Sequence, residues 1–273
     1  MMDSLIIAKR EMRLGFRNPW AYTFLVLFTV FSLALLLIQS RQAFEGYTYS
    51  TGSMLHLILY LLPLMALMLG SFSVTGEREE GRWTLLSTCS LSTVQFVLGK
   101  YAGLAGVICA ILAFGFGFSG CVSYVMGRGI NPSWLLFFFL LSLVLVLLYL
   151  GIAMLIGTCC KNRWQALTFS VCVWFITILA WPTLLVSILG TLPYLWIKPA
   201  LVGATFFNPA ELTRVFMVIR MGGGSIFGPE YYQWIDWIRA SGAPFIFGGL
   251  CLAWIGVCLG IACLIWERRR FRE

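Results

Sequence analysis

The chain has 273 residues, of which 60% are hydrophobic and only 11% charged, with a mean hydropathy of +0.90. Soluble domains are roughly half apolar and a quarter charged, so the composition excludes a water-soluble protein and predicts an integral membrane protein, here all-α. The net charge of +8 is read as topology and contact with anionic lipid in the bilayer, and no nucleic-acid partner is inferred from it.

From the N-terminus, Leu5, Ala8, Met12 and Phe16 recur at helical spacing while Lys9, Arg10, Glu11, Arg13 and Arg17 take the other faces. This predicts an interfacial elbow helix over residues 1–18, before Asn18-Pro19 turns the chain into the membrane; the competing reading is a plain basic anchor. Crossing the hydrocarbon core as a helix takes about 20 apolar residues. Six segments qualify: Pro19 to Ile38, Met54 to Val74, Tyr101 to Val125, Trp134 to Ile156, Gln165 to Gly190 and Ala243 to Trp266. Pro182 removes a helical donor from the fifth and predicts a kink there if the helix runs on past it.

An even number of spans puts both termini on one side. Lys9, Arg10, Arg13 and Arg17, then Arg78, Arg82 and Lys100, then Lys161 and Arg163, and finally Arg268, Arg269, Arg270 and Arg272 all fall on that side. The positive-inside rule makes it cytoplasmic, which predicts a multi-pass protein with both termini in the cytoplasm.

Between the second and third spans lies "GEREEGRWTLLSTCSLSTVQFVLGK", residues 76–100. Leaving Glu77, Arg78, Glu79, Glu80 and Arg82 in hydrocarbon costs about 12 to 17 kcal/mol at about 2.5 to 3.5 each, so the segment must stand in water. Trp83 to Leu86 reads as a short apolar-faced helical turn, and Ser92 as the N-cap of a helix that runs into span three. Gly99, Gly103 and Gly106 allow a close helix contact at the base of that span.

Several chemistries find no support. Cys109, Cys121, Cys172, Cys251, Cys258 and Cys263 fall within spans, where a thiol is a small hydrophobe, and the adjacent Cys159 and Cys160 point about 100° apart on a helix, which is poor chelating geometry. The single His56 has no second histidine or carboxylate beside it and suits a hydrogen-bonded interfacial role. Every Asp, Glu, Lys and Arg lies outside the apolar windows or at their ends, unlike the mid-membrane charges of ion-driven carriers. There is no phosphate-binding loop, paired-carboxylate site or Ser/His set, so no catalytic residue, metal ligand or cofactor is assigned to this chain, and any energy source must sit on another.

The long segment 191–242 before span six must carry structure of its own. Asn208-Pro209-Ala210-Glu211 places a capping asparagine, a proline at the first helical position and an acid in the first turn, which starts a helix ending near Gly222. Met217 and Met221, at i and i+4 of that helix, are read as apolar packing ahead of a thioether site for Cu(I). Tyr231, Tyr232, Trp234, Trp237 and Ile238 then form an aromatic cluster, either an interfacial belt or a docking surface.

Residues 76–100 resemble the G-E-x-E-x-G-T-[LM]-x-L-L-L-T-x-P-[LI]-[ST]-R-x-x-x-x-x-G-K pattern of type-2 ABC transporter permeases. The match runs through Gly76, Glu77, Glu79, Gly81, Leu85, Leu86, Thr88, Leu91, Ser92, Gly99 and Lys100, and departs from the pattern at Trp83 and Ser90. The resemblance implies one transmembrane permease domain over 1–273 with a cytoplasmic coupling helix in 76–100 gripped by a separate ATPase. Glu77, Glu79, Glu80, Gly81, Leu85, Leu86, Leu91 and Ser92 would form the ATPase-partner interface. "FFNPAELTRVFMVI" and "CLAWIGVCLGIACLIWERRRF" are further similar to permeases of nitrous-oxide reductase maturation systems. That likeness implies a bacterial inner-membrane homodimer with two copies of the ATPase, which holds ATP and Mg, and a periplasmic copper-handling partner at the outer loop, where Asn208, Pro209, Glu211 and Arg214 match the motif; on the docking reading of the aromatic cluster, Tyr231, Trp234 and Trp237 join that surface. An exporter permease for a peptide, lipid or drug and a passive membrane anchor are the alternative readings.

Overall fold

The computed structural model describes residues 2–38, 47–81, 92–127, 132–228, 231–240 and 242–270. Among these, regular structure is entirely helical: α1 (Met2–Gly15), α2 (Pro19–Ile38), α3 (Tyr49–Glu79), α4 (Thr93–Val125), α5 (Pro132–Cys159), α6 (Arg163–Thr191), α7 (Tyr194–Phe207), α8 (Pro209–Arg220), a 3-10 turn (Gly223–Phe227), α9 (Tyr232–Arg239) and α10 (Ala243–Arg270). Helices are what such a sequence permits, because hydrocarbon offers no partner to a backbone N–H or C=O left open. Five of them, α3, α4, α5, α6 and α10, are long and apolar enough to cross a membrane, and α1 with α2 forms a sixth, bent pair.

The bend in that pair is 68°. It is built locally: the Asn18 side-chain oxygen accepts from the Trp20 N–H at 3.1 Å and opens α2, with Pro19 in the first-turn position where no amide is needed. Elsewhere, caps mark where helices begin. Thr48 and Thr51 close a reciprocal capping box on α3, Asn162 accepts from Gln165 on α6, and Ser92 accepts from Gln95 on α4, as its sequence position predicts.

The helices outrun their apolar windows. At 1.5 Å per residue, the 33 residues of α4 span about 50 Å, against a hydrocarbon core of about 30 Å. Consequently Glu77, near the end of α3, and Lys100, two turns into α4, sit on rigid helical stems and not in a loop.

α3 is the hub of the bundle, packing on α5, α6 and α2, and two-thirds of its apolar window is buried (67%). α6 is the opposite case, with 6% of its window buried. The strain expected as a kink at Pro182 is taken up by a π-helical turn, Phe175–Ala180, after which the helix continues to Thr191. The segment 191–242 folds into α7, α8, the 3-10 turn and α9. α8 ends at Arg220, near Gly222 as predicted, and Gly222 takes a φ of +85° in the left-handed region. α7 was not foreseen; it starts after Pro193 and carries Pro199 in its interior.

Candidate functional site

Three places bring together polar side chains that the sequence spreads far apart.

The first is a buried ion cluster between α1, α3 and α4. Lys100 is 1% exposed. Its ammonium donates to Glu11 Oε1 on α1 at 2.7 Å, to Ser73 Oγ on α3 at 2.9 Å and to the Ser73 carbonyl at 3.1 Å, and lies 3.3 Å from Glu77 Oε1. Ser73 closes the ring by donating to Glu11 Oε2 at 2.8 Å. Arg10, half exposed, reaches Glu77 Oε1 at 3.3 Å. In a low-dielectric setting each of these charges is tolerable only because the others are there, and losing one partner leaves a buried ion uncompensated. A cavity of about 300 Å³ opens beside the cluster, with Glu11, Ser73, Glu77 and Lys100 on its polar wall and Leu14, Trp20, Phe72 and Leu104 on its apolar one.

What brings α1 close enough for this contact is the glycine row predicted to allow a close approach. A Cβ on Gly103 would stand 2.6 Å from the Ala8 carbonyl oxygen and 2.6 Å from Glu11 Cβ, and one on Gly99 would stand 2.8 Å from Ile7 Cβ. α1 therefore lies backbone against backbone on α4, and Glu11 is delivered to Lys100.

The second place is the corner between α5 and α6. The Arg163 backbone N–H donates to Glu79 Oε1 at 2.6 Å, its Nε lies 3.2 Å from Glu79 Oε2, and its Nη2 donates to Glu80 Oε1 at 2.9 Å. Arg78 Nη1 donates to the Cys160 carbonyl at 2.9 Å, satisfying a carbonyl at the exit from α5. The connection between α5 and α6 is thus tied to the end of α3, immediately before the 82–91 segment.

Of the residues expected at the ATPase interface, Glu77 turns inward to Lys100, Glu79 and Glu80 hold Arg163 at the surface, and Gly81, exposed with φ +67°, forms the turn out of α3. Ser92 caps α4. Leu85, Leu86 and Leu91, with the expected turn of helix at Trp83 to Leu86, lie outside the described residues.

The third place is deeper in the bundle, around Asn208, level with the middle of α6. Its side-chain oxygen accepts from the Ala210 N–H at 3.0 Å, the predicted cap. Its amide nitrogen donates to the Thr177 carbonyl at 2.6 Å. Thr177 belongs to the π turn of α6, where the five-residue register directs residue 182 at that carbonyl, and Pro182 has no N–H to give. Asn208 supplies the missing donor. Tyr149 on α5 donates to the Thr177 hydroxyl at 2.8 Å, so three helices meet at this turn.

Around it, Glu211 (5% exposed) pairs with Arg214 at 2.6 Å, and the Arg214 guanidinium stands 5.9 Å from the Phe227 ring centroid. Burial, and then the nearby Glu211 carboxylate, push the Tyr231 phenol above its ordinary pKa. Asn208, Pro209, Glu211 and Tyr231 are buried and Arg214 and Trp237 half-buried, so these residues pack within the structure and do not present the exposed surface expected of them; the Trp234 side chain lies outside the described set. Exposed around them are Ile226, Asp236 and Arg239. Met217 and Met221 are both 2% exposed within the apolar core, in keeping with the packing reading. Among the described residues no group of three or more His, Cys, Asp or Glu side chains is arranged to hold a metal ion. His56 is exposed and stacks on Tyr60, ring centroids 5.7 Å apart, a ring contact where a hydrogen bond was expected.

The ion cluster was hidden because its members are far apart in sequence. Glu11 reads as one charge of a basic helix, Glu77 as one of a solvated run and Lys100 as topology. The only signal for Lys100 was its place after Gly99 at the end of the matched pattern.

Comparison with known proteins agrees with this architecture. Two curated relatives, each described as a probable ABC transporter permease protein NosY, are 26% identical to the chain: one from Stutzerimonas stutzeri over 277 residues and one from Pseudomonas aeruginosa over 275. Each alignment covers 96% of this chain and 97% of the relative. Residues 5–212, from α1 through the first turn of α8, match the model of the ABC-2 family of transporter proteins, and the chain belongs to that family.

Proposed function

We propose that the chain is the transmembrane subunit of an ABC transporter complex that passes ATP binding and hydrolysis on a separate cytoplasmic ATPase to an event on the far side of the membrane. The observation that carries this reading is the convergence of both roots of the 82–91 segment on fixed charged contacts: Glu77 and Lys100 with Glu11, and Glu79 and Glu80 with Arg163. A segment mounted this way transfers a push to three helices at once. The chain contributes no catalytic group; its contribution is a two-state element biased by a partner that binds ATP. Reversing a 1:99 equilibrium to 99:1 takes about 5.5 kcal/mol of differential binding, within reach of nucleotide binding on a partner.

Both termini and residues 76–100 then face the cytoplasm, α1 lies in the headgroup layer, and a second copy of the chain completes the complex with two ATPase subunits. The likeness to permeases named NosY supports copper-site maturation of nitrous-oxide reductase with a periplasmic partner as the event served, met at the surface that Asn208, Pro209, Glu211 and Arg214 hold in shape. The poorly buried α6 suits a subunit that completes its packing against another copy.

The experiment is copurification of the ATPase with charge-reversal variants. Glu79→Arg with Glu80→Arg abolishes recovery of the ATPase or its coupled activity. Adding Arg163→Glu separates internal repair from partner contact, because it restores the corner without restoring the original surface charge. Unchanged recovery and activity in the double variant sinks the proposal. Deleting residues 76–90 without loss of function favours a passive anchor.

A further inference from the structure

We infer that Lys100 is a positioning residue that fastens α1 to both roots of the 82–91 segment, so that the helix and the two roots move as one body. This rests on the proposed reading of residues 76–100 as the ATPase-facing element.

An ammonium has three protons, and around Lys100 stand four acceptors drawn from two other helices: Glu11 Oε1 on α1, and Ser73 Oγ, the Ser73 carbonyl and Glu77 Oε1 on α3. Lys100 itself belongs to α4. One buried cation therefore ties together the helix that enters the segment, the helix that leaves it and a helix remote from it in sequence.

Slack is the next consideration. Sliding α1 over α4 by one or two ångströms would separate Lys100 from Glu11 at a site where both are almost wholly withdrawn from water (1% and 4% side-chain exposure). The attraction lost there is not replaced by hydration. The same slide drives the Ala8 carbonyl into the face of α4 at Gly103, where there is no room for even a Cβ. Attraction at one point and contact at the other leave α1 a single seat on α4.

The joint also has an exit. α1 turns through 68° into α2 by way of the Asn18 cap, so any displacement of α1 is delivered into a membrane helix that has no direct link in sequence to the 82–91 segment. Arg10, on the exposed side, adds a second link from α1 to Glu77. Glu11 and Lys100 do not read as ATPase contacts, since neither reaches the surface; they act through the segment they hold.

The test uses the full chain with its ATPase, carrying nitroxide labels at the exposed positions Ile6 on α1, Leu98 on α4 and Phe245 on α10. With wild-type Lys100, ATP changes the distances from Phe245 to Ile6 and to Leu98, while the distance between Ile6 and Leu98 stays fixed. Lys100→Met lets that last distance change with ATP and lowers coupled ATPase activity about tenfold, inside the range of ordinary coupling energies. The exchange Glu11→Lys with Lys100→Glu restores the fixed distance, which a role confined to overall stability would not predict. Should Lys100→Met fail to accumulate in membranes, Glu11→Gln carries the same measurement.

In the chain alone, the label at Ile6 becomes mobile in Lys100→Met and immobile again in the exchange. An Ile6-to-Leu98 distance that changes with ATP in the wild type overturns the inference. So does a label at Ile6 that stays immobile in Lys100→Met. If no ATPase copurifies with the wild type, the proposed function fails, and the mobility of Ile6 in the chain alone still decides the role of Lys100.

Discussion

Two regions of the bundle are held by different physics. Where α3 ends and α4 begins the contacts are ionic and join residues far apart in the chain: Lys100 with Glu11 and Glu77, and Arg163 with Glu79 and Glu80. Around Asn208, level with the middle of α6, the central contact is neutral, an asparagine amide serving one helix as a cap and another as a replacement donor. Ionic contacts between separate helices make a region that must be moved as a unit. A neutral amide bound at both faces makes a region that holds one backbone geometry.

Removing Lys100 gives the largest effect. Lys100→Met takes the buried cation from Glu11 and Glu77, although Arg10 stays 3.3 Å from Glu77, a loss of about 3 to 5 kcal/mol, read as a lower unfolding midpoint in detergent micelles. Replacing Glu11, Glu77 and Lys100 together with Met returns most of that loss, since a well-packed apolar site replaces a buried ion cluster at little cost. If the triple variant is no more stable than the single one, the ionic account of this region is wrong.

Next comes Asn208. Its replacement by Ala removes a cap and strands the Thr177 carbonyl, together about 2 to 3 kcal/mol in the same measurement. Asn208→Asp sharpens the point: a carboxylate still caps α8 but faces a carbonyl with no proton to offer, so it is no better than Ala. An Asp variant as stable as wild type would show that the cap alone matters.

Smallest is the glycine row, which separates contact from charge. Gly103→Ala forces α1 off α4 and costs about 1 to 3 kcal/mol, whereas Gly106→Ala meets only the Met12 sulfur, 3.3 Å away on a flexible side chain, and is nearly neutral. Equal effects at the two positions would mean that α1 is not seated where Glu11 requires it.

How much of this was legible in the sequence follows from range. Apolar length placed each membrane segment, and Ser92 and Asn208 announced their helices, because capping and hydrophobic runs are decided within a few residues. Glu11, Glu77 and Lys100 were each seen and each explained singly; only folding shows that they share one proton-donating group. Asn208 had a second partner that no local pattern could reveal, since the need for it arises at Pro182 on a different helix. α7 has no side-chain cap and carries a proline inside it, so its start has no local signal, and its anchoring is the burial of Leu201 and Thr205 in the bundle.

The π turn of α6 carries one further consequence. A residue added to a single helical turn advances the phase of everything beyond it by about 100°, so the two halves of this span do not share a common front. Trp164, Phe169 and Val171 stand exposed on the first half and Leu184, Val186 and Ile188 on the second, where no residue from Trp181 to Thr191 is buried. A neighbour lying along α6 therefore meets two halves that are out of phase with each other. Restoring an uninterrupted helix by deleting one residue between Phe175 and Ala180 would rotate the second half by about 100° relative to the first.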